Sequence, residues 1–145
     1  MDIKTFFTES QQKSIQLAIE NAELNTSGEI RVHLEAKCKG DTLTIAKKVF
    51  EKLNMHQTEL RNGVLFYLAV EDKKFAILGD KGINNVVAID FWDSIRNKML
   101  EEFKQEQFTI GLCKGIEMAG DKLKTHFPFQ KNDANELTND ISFED

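Results

Sequence analysis

The 145 residues contain one proline, two cysteines and no apolar run longer than Gly63 to Val70. Each scarcity excludes something. Eight apolar positions cannot cross a bilayer, which needs about 20 in a helix, so no membrane insertion is expected. Cys38 and Cys113 do not form a CxxC pair; they read as free buried thiols of a reducing compartment, not as a disulfide framework. The start, Met1-Asp2-Ile3-Lys4, lacks the basic and apolar regions of a signal peptide, and the cytoplasm is the expected location. Basic residues are outnumbered, 19 against 24 acidic, and no basic stripe stands out, which argues against nucleic acid as a partner. There is no internal repeat, no GxSxG, no GxxxxGK[ST] and no GxGxxG. His33, His56 and His126 stand far apart with no HExxH, so the spacing suggests no zinc enzyme.

What is present is ordinary globular material, 41% apolar and 30% charged, of a size that suits one domain. The acidic excess is local. Asp133, Glu136, Asp140, Glu144 and Asp145 lie in a stretch without Lys or Arg, and removing them leaves the first 131 residues with 19 acidic and 19 basic side chains. Residues 1–131 are therefore expected to form the domain, closed near Pro128, and residues 132–145 an acidic tail, partly docked or flexible. Asp133 to Leu137 is the part expected to dock, and Thr138 to Asp145 the mobile part.

Periodicity supplies the elements. Thr8-Glu9-Ser10-Gln11 is a capping box, in which the Thr hydroxyl and the Gln amide satisfy backbone donors at a helix start. Ile15, Ala18, Ile19 and Ala22 follow as one buried stripe, and Gly28 is placed to stop the helix. Residues 29 to 36 alternate: Ile30, Val32 and Leu34 face one way, while Glu29, Arg31, His33 and Glu35 face the other. This predicts a strand with one wet face, near a sheet edge. Asp41 or Thr42 caps a second helix with Ala46, Val49, Phe50 and Leu53 inward. Gly63 to Val70 is a strand covered on both faces, and Lys74 to Leu78 return antiparallel after a tight turn. Two helices follow, one capped by Asp90 and one from about Thr109 to Thr125. The glycines of the latter, Gly111, Gly115 and Gly120, imply close packing against a neighbour. The order α-β-α-β-β-α-α gives an α/β fold, a three-layer α/β/α sandwich on a small mixed sheet, because a strand–helix–strand crossover is right-handed.

This topology gathers three polar loops at one end of the sheet: Thr26 to Glu29, Thr58 to Gly63, and Gly79 to Gly82. Open α/β sheets generally bind ligands at the opposite end, beyond the carboxyl ends of the parallel strands. The loops nevertheless favour the first end, since Glu29, Glu59, Asp80 and Asp90 with the amide of Asn62 are the oxygen donors that calcium or magnesium takes. Arg61 could then stabilise a phosphate bound to such a metal. Caps and solvated loop carboxylates account for the same residues without a ligand, and spacing alone does not decide.

Thr26-Ser27-Gly28-Glu29-Ile30-Arg31, Thr58-Glu59-Leu60-Arg61-Asn62-Gly63-Val64-Leu65 and Ile77-Leu78-Gly79-Asp80-Lys81-Gly82-Ile83 resemble the TPM domain family. Phe91-Trp92, the glycine-spaced last helix, Phe127-Pro128 and Asn135-Glu136-Leu137 resemble a bacterial branch, here as a stand-alone domain. The resemblance implies a Rossmann-like fold, divalent cation binding in a surface groove and, for some members, acid phosphatase activity on phosphomonoesters. Links of other members to photosystem repair and receptor assembly imply a binding module with a protein partner. No phosphoryl-accepting nucleophile is evident, so hydrolysis would fall to a metal-bound water.

Overall fold

The computed structural model describes residues 2–129 and 137–144. The elements run α1 (Glu9–Glu23), β1 (Glu29–Glu35), α2 (Thr42–Lys52), β2 (Gly63–Ala69), β3 (Lys74–Gly79), α3 (Lys81–Asn84), α4 (Phe91–Lys104), α5 (Phe108–His126) and β4 (Ser142–Glu144). The sheet order is β3-β2-β1-β4, with β1 parallel to β2 and β4, and β3 antiparallel to β2.

Helices cover both faces, as a sheet with two apolar faces requires. Ile30, Val32, Leu34, Val64, Phe66 and Leu68 form one buried cluster with residues of α1, α4 and α5. Leu65, Tyr67 and Ala69 point the other way, toward Ala46, Val49 and Phe50 of α2. The three-layer α/β sandwich expected from element order is the structure found. The capping box at Thr8 is complete, and Asp41 caps α2 by accepting from the Thr44 amide. The α4–α5 packing is close: a Cβ on Gly115 would stand 2.5 Å from the Met99 sulfur.

Four expectations change. The polar face of β1 is not wet, and β1 is not near an edge. It lies between β2 and β4, and Glu29, His33 and Glu35 are all buried. The edge beside His33–Glu35 is closed by the chain end, where Ser142–Glu144 pair with them in a segment expected to be mobile, and this face of the sheet packs under α2. Ile141 is buried beside it and Leu137 packs on the α2 side, while 133–136 fall outside the described residues. Second, α1 stops at Glu23, well before Gly28. Gly28 serves packing instead, since a Cβ there would stand 2.9 Å from the Leu123 methyls. Third, Asp90 occupies the N-cap position of α4 but makes no capping hydrogen bond with its side chain. Fourth, the turn after β3 is a one-turn helix, α3, capped by Asp80. Among the described residues no helix is long and apolar enough to cross a membrane.

Candidate functional site

The register brings the three polar loops to the amino end of the parallel strands. Glu29 lies opposite Gly63, and Val64 opposite Gly79. The loops are stitched together by backbone: Glu29 N donates to the Asn62 carbonyl (3.4 Å), Asp80 N to that of Gly63 (2.9 Å), and Gly82 N to that of Arg61 (2.9 Å). Gly82 is required at this crossing, since a Cβ would stand 2.2 Å from the Leu60 carbonyl oxygen.

The side chains expected to bind ligand divide at this end. Glu29, Asn62 and Asp80 are buried, at 2%, 1% and 7% exposure, whereas Glu59 and Asp90 are exposed. Arg61, expected to face a phosphate, instead grips Asp80 through two hydrogen bonds, Nε to Oδ2 at 2.6 Å and Nη2 to Oδ1 at 2.9 Å. Asp80 also accepts from the Lys81 amide. Paired bidentate bonds of this kind fix geometry as well as charge, so this pair joins the second and third loops. The Asn62 amide donates to Ser27 Oγ at 3.4 Å, but its Oδ1 is buried and accepts no hydrogen bond among the described residues. Native proteins rarely leave a buried acceptor in that state.

Sequence reasoning missed Glu23, on the last turn of α1. Its Oε2 accepts from the Ile30 amide at 2.8 Å. Burial pushes its pKa up to about 8, with the Glu29 and Glu20 carboxylates raising it further against the pull of that amide. It was hidden because it reads as one more polar residue of α1; a carboxylate on the last turn of a helix that feeds a strand is the available signal.

The carboxyl end of β1 holds a second cluster. His33 Nε2 lies 3.2 Å from Glu35 Oε1 and 3.5 Å from Glu144 Oε2. One ligand atom from each of these three residues falls within 4.8 Å of the others. Outer partners hold the remaining atoms: Ser142 Oγ lies 2.9 Å from His33 Nδ1, the Tyr67 hydroxyl donates to Glu35 Oε2, and Lys52 Nζ donates to Glu144 Oε1 at 3.0 Å. Burial lowers the His33 pKa to about 4, opposed by the Glu144 carboxylate, so the imidazole is neutral at pH 7. Burial raises the Glu35 carboxyl, while the hydrogen bond from Glu35 and then Lys52 lower that of Glu144. Beside the cluster lies an open groove of about 560 Å³ lined in part by Lys37, Lys39, Lys48 and Lys52.

Comparison with known proteins places the fold. The TPM domain model matches residues 1–122. No curated protein gives a match. Among solved structures, the BA42 protein of the psychrophilic bacterium Bizionia argentinensis, determined by NMR, is 52% identical over 99% of both chains with a TM-score of 0.92. The N-terminal domain of the cg2496 protein of Corynebacterium glutamicum has a TM-score of 0.66 at 18% identity, covering 82% of this chain and 75% of that one; that likeness concerns the fold alone. With the family model spanning most of its length, the chain belongs to the TPM domain family.

Proposed function

We propose that this domain binds a hard divalent cation, calcium or magnesium, at the amino end of its parallel strands, and works there as an interaction module. The observation that carries the proposal is the buried Asn62 Oδ1, which has no donor among the described residues and sits next to Gly63, the backbone register partner of the buried Glu29. An amide oxygen and a carboxylate are what such cations take. Glu29 and Asn62 would hold the ion, Glu23 would add negative charge from α1, and Asp80 with Arg61 would keep the loops in place. Glu59 and Asp90, both exposed, are the outer candidates. The bound ion would supply charge compensation and would rigidify the crossing loops.

The same end supports a protein partner. Leu24, Leu60, Val86, Ile89 and Phe129 are exposed large apolar residues, and all five sit on segments that enter or leave the sheet at its amino end. A contiguous exposed apolar patch marks an interaction site, and these five residues are the candidates for one. Arg61 uses Nε and Nη2 on Asp80, a loop-joining role that favours binding over hydrolysis as the reading of this end.

The test is a titration of calcium and of magnesium followed by backbone amide shifts. Shifts are expected across residues 26–31, 59–63 and 79–93, with those at 26–31 and 59–63 lost in Asn62→Leu. No perturbation in these segments at millimolar metal would refute the proposal.

A further inference from the structure

A different part of the molecule carries an inference independent of the one above. We propose that His33, Glu35 and Glu144 form a second metal site, selective for a borderline transition metal ion of the zinc class, completed only when the C-terminal strand β4 pairs with β1.

Three observations lead to it. The first is distance. Zinc bonds to histidine nitrogen and carboxylate oxygen are about 2.0–2.2 Å, and in a tetrahedron such bonds place neighbouring donors roughly 3.3–3.6 Å apart. The two donor separations here, 3.2 and 3.5 Å from His33 Nε2, already match those edges closely. The second is support. Metal-ligating histidines and carboxylates are oriented by outer hydrogen bonds, and each of the three residues has its other polar atom tied: His33 by Ser142, Glu35 by Tyr67, Glu144 by Lys52. The remaining three atoms converge on one another, His33 Nε2 lying 3.2 Å from Glu35 Oε1 and 3.5 Å from Glu144 Oε2. The third is topology. The path from β1 to β2 passes through α2 on one face, whereas β4 is reached after α4 and α5 on the other. The boundary between β1 and β4 is thus the switch point of the sheet, at whose carboxyl ends open α/β folds bind ligands.

The donor set decides the metal class. A neutral imidazole nitrogen with two carboxylates suits zinc, copper, iron or nickel, whereas calcium and magnesium seek sets of six or more oxygens. Glu35 and Glu144 also line the lysine groove, so a fourth position opens toward it, as in zinc sites that keep a water or exogenous ligand. Two of the six residues involved, Ser142 and Glu144, come from β4. Metal binding therefore fastens the chain end to the centre of the sheet.

The experiment uses the full chain with excess magnesium present, so that occupancy of the amino end is held constant. Cobalt(II) is titrated in and its visible absorption recorded. The expected result is an intense low-symmetry cobalt spectrum saturating at one equivalent and removed by zinc. Glu144→Gln, an isosteric change at a half-exposed position, should weaken binding by about tenfold or more, and His33→Gln should abolish it. Cys38→Ser should leave it unchanged. Unaltered affinity in a folded Glu144→Gln variant, loss of the spectrum in Cys38→Ser, or no cobalt binding at all would overturn the proposal. Each of these results is separate from the calcium and magnesium titration, so either site can fail alone.

Discussion

The two ends of this sheet solve the problem of buried polar groups differently. At the amino end the polar atoms sit on loops that cross one another, held by backbone bonds and by the Arg61–Asp80 pair, and one amide oxygen has no donor among the described residues. At the carboxyl end they sit on strands, and every ligand atom not facing the shared centre has its own partner. The first arrangement offers oxygen alone on loops; the second offers nitrogen and oxygen on strands. All-oxygen sets suit hard cations such as calcium and magnesium, and mixed nitrogen–oxygen sets suit borderline metals of the zinc class. On the two proposals above, one small sheet would serve two metal classes.

Substitutions can break one end and spare the other. The largest effect is expected from Gly82→Ala, whose new Cβ would run into the Leu60 and Arg61 carbonyls. Backbone atoms cannot yield as a side-chain tip does, so a loss of about 2–4 kcal/mol is expected in denaturant unfolding, together with loss of calcium-induced shifts. Cobalt affinity should survive. Next is Tyr67→Phe, which removes the buried hydroxyl from Glu35 and should cost about 1–3 kcal/mol. This change should weaken cobalt and leave calcium binding unaffected.

The pH dependence of the metal-free protein tests the amino end. Glu23 has a folded pKa of about 8 against an ordinary value of 4.5. The unfolded chain gives up this proton first as pH rises, so the folded state is favoured fully below about 4.5 and loses that advantage progressively up to 8. Glu23→Gln keeps an acceptor for the Ile30 amide but cannot ionise. Chelated wild type should lose on the order of 1–3 kcal/mol between pH 5 and 8 that the variant retains, measured as the denaturation midpoint at each pH. The smallest effect is that of Lys52→Met. Its bond to Glu144 is exposed on the lysine side, and such pairs contribute about 0–1 kcal/mol, so unfolding should hardly change.

The amino end was largely legible in the sequence because its parts are contiguous. Thr26 to Glu29, Thr58 to Gly63 and Gly79 to Gly82 each read as a polar loop, and the strand directions alone brought them together. What the sequence could not show was how they engage one another: Arg61 meeting Asp80 instead of a ligand, and Glu23 reaching in from α1. The carboxyl end was hidden for a different reason. Alternation placed His33 and Glu35 on one face of a strand, but the partner that buries them arrives 109 residues later. Ser142-Phe143-Glu144 is too short to announce itself, and its acidic surroundings read as a solvated tail. A three-residue strand takes its conformation from the edge it pairs with, not from its own propensity. The same oversight made β1 an edge strand and its polar face a wet one.

The central claim is that donor chemistry divides two metal classes between the two ends. One isotope-labelled sample, given magnesium to saturation and then one equivalent of zinc, tests it most directly through backbone amide shifts. Magnesium should move residues 26–31, 59–63 and 79–93, and zinc should then move 33–38 and 141–144 while leaving the first set in place. Zinc shifting the magnesium set, or both metals acting on the same residues, would contradict the account.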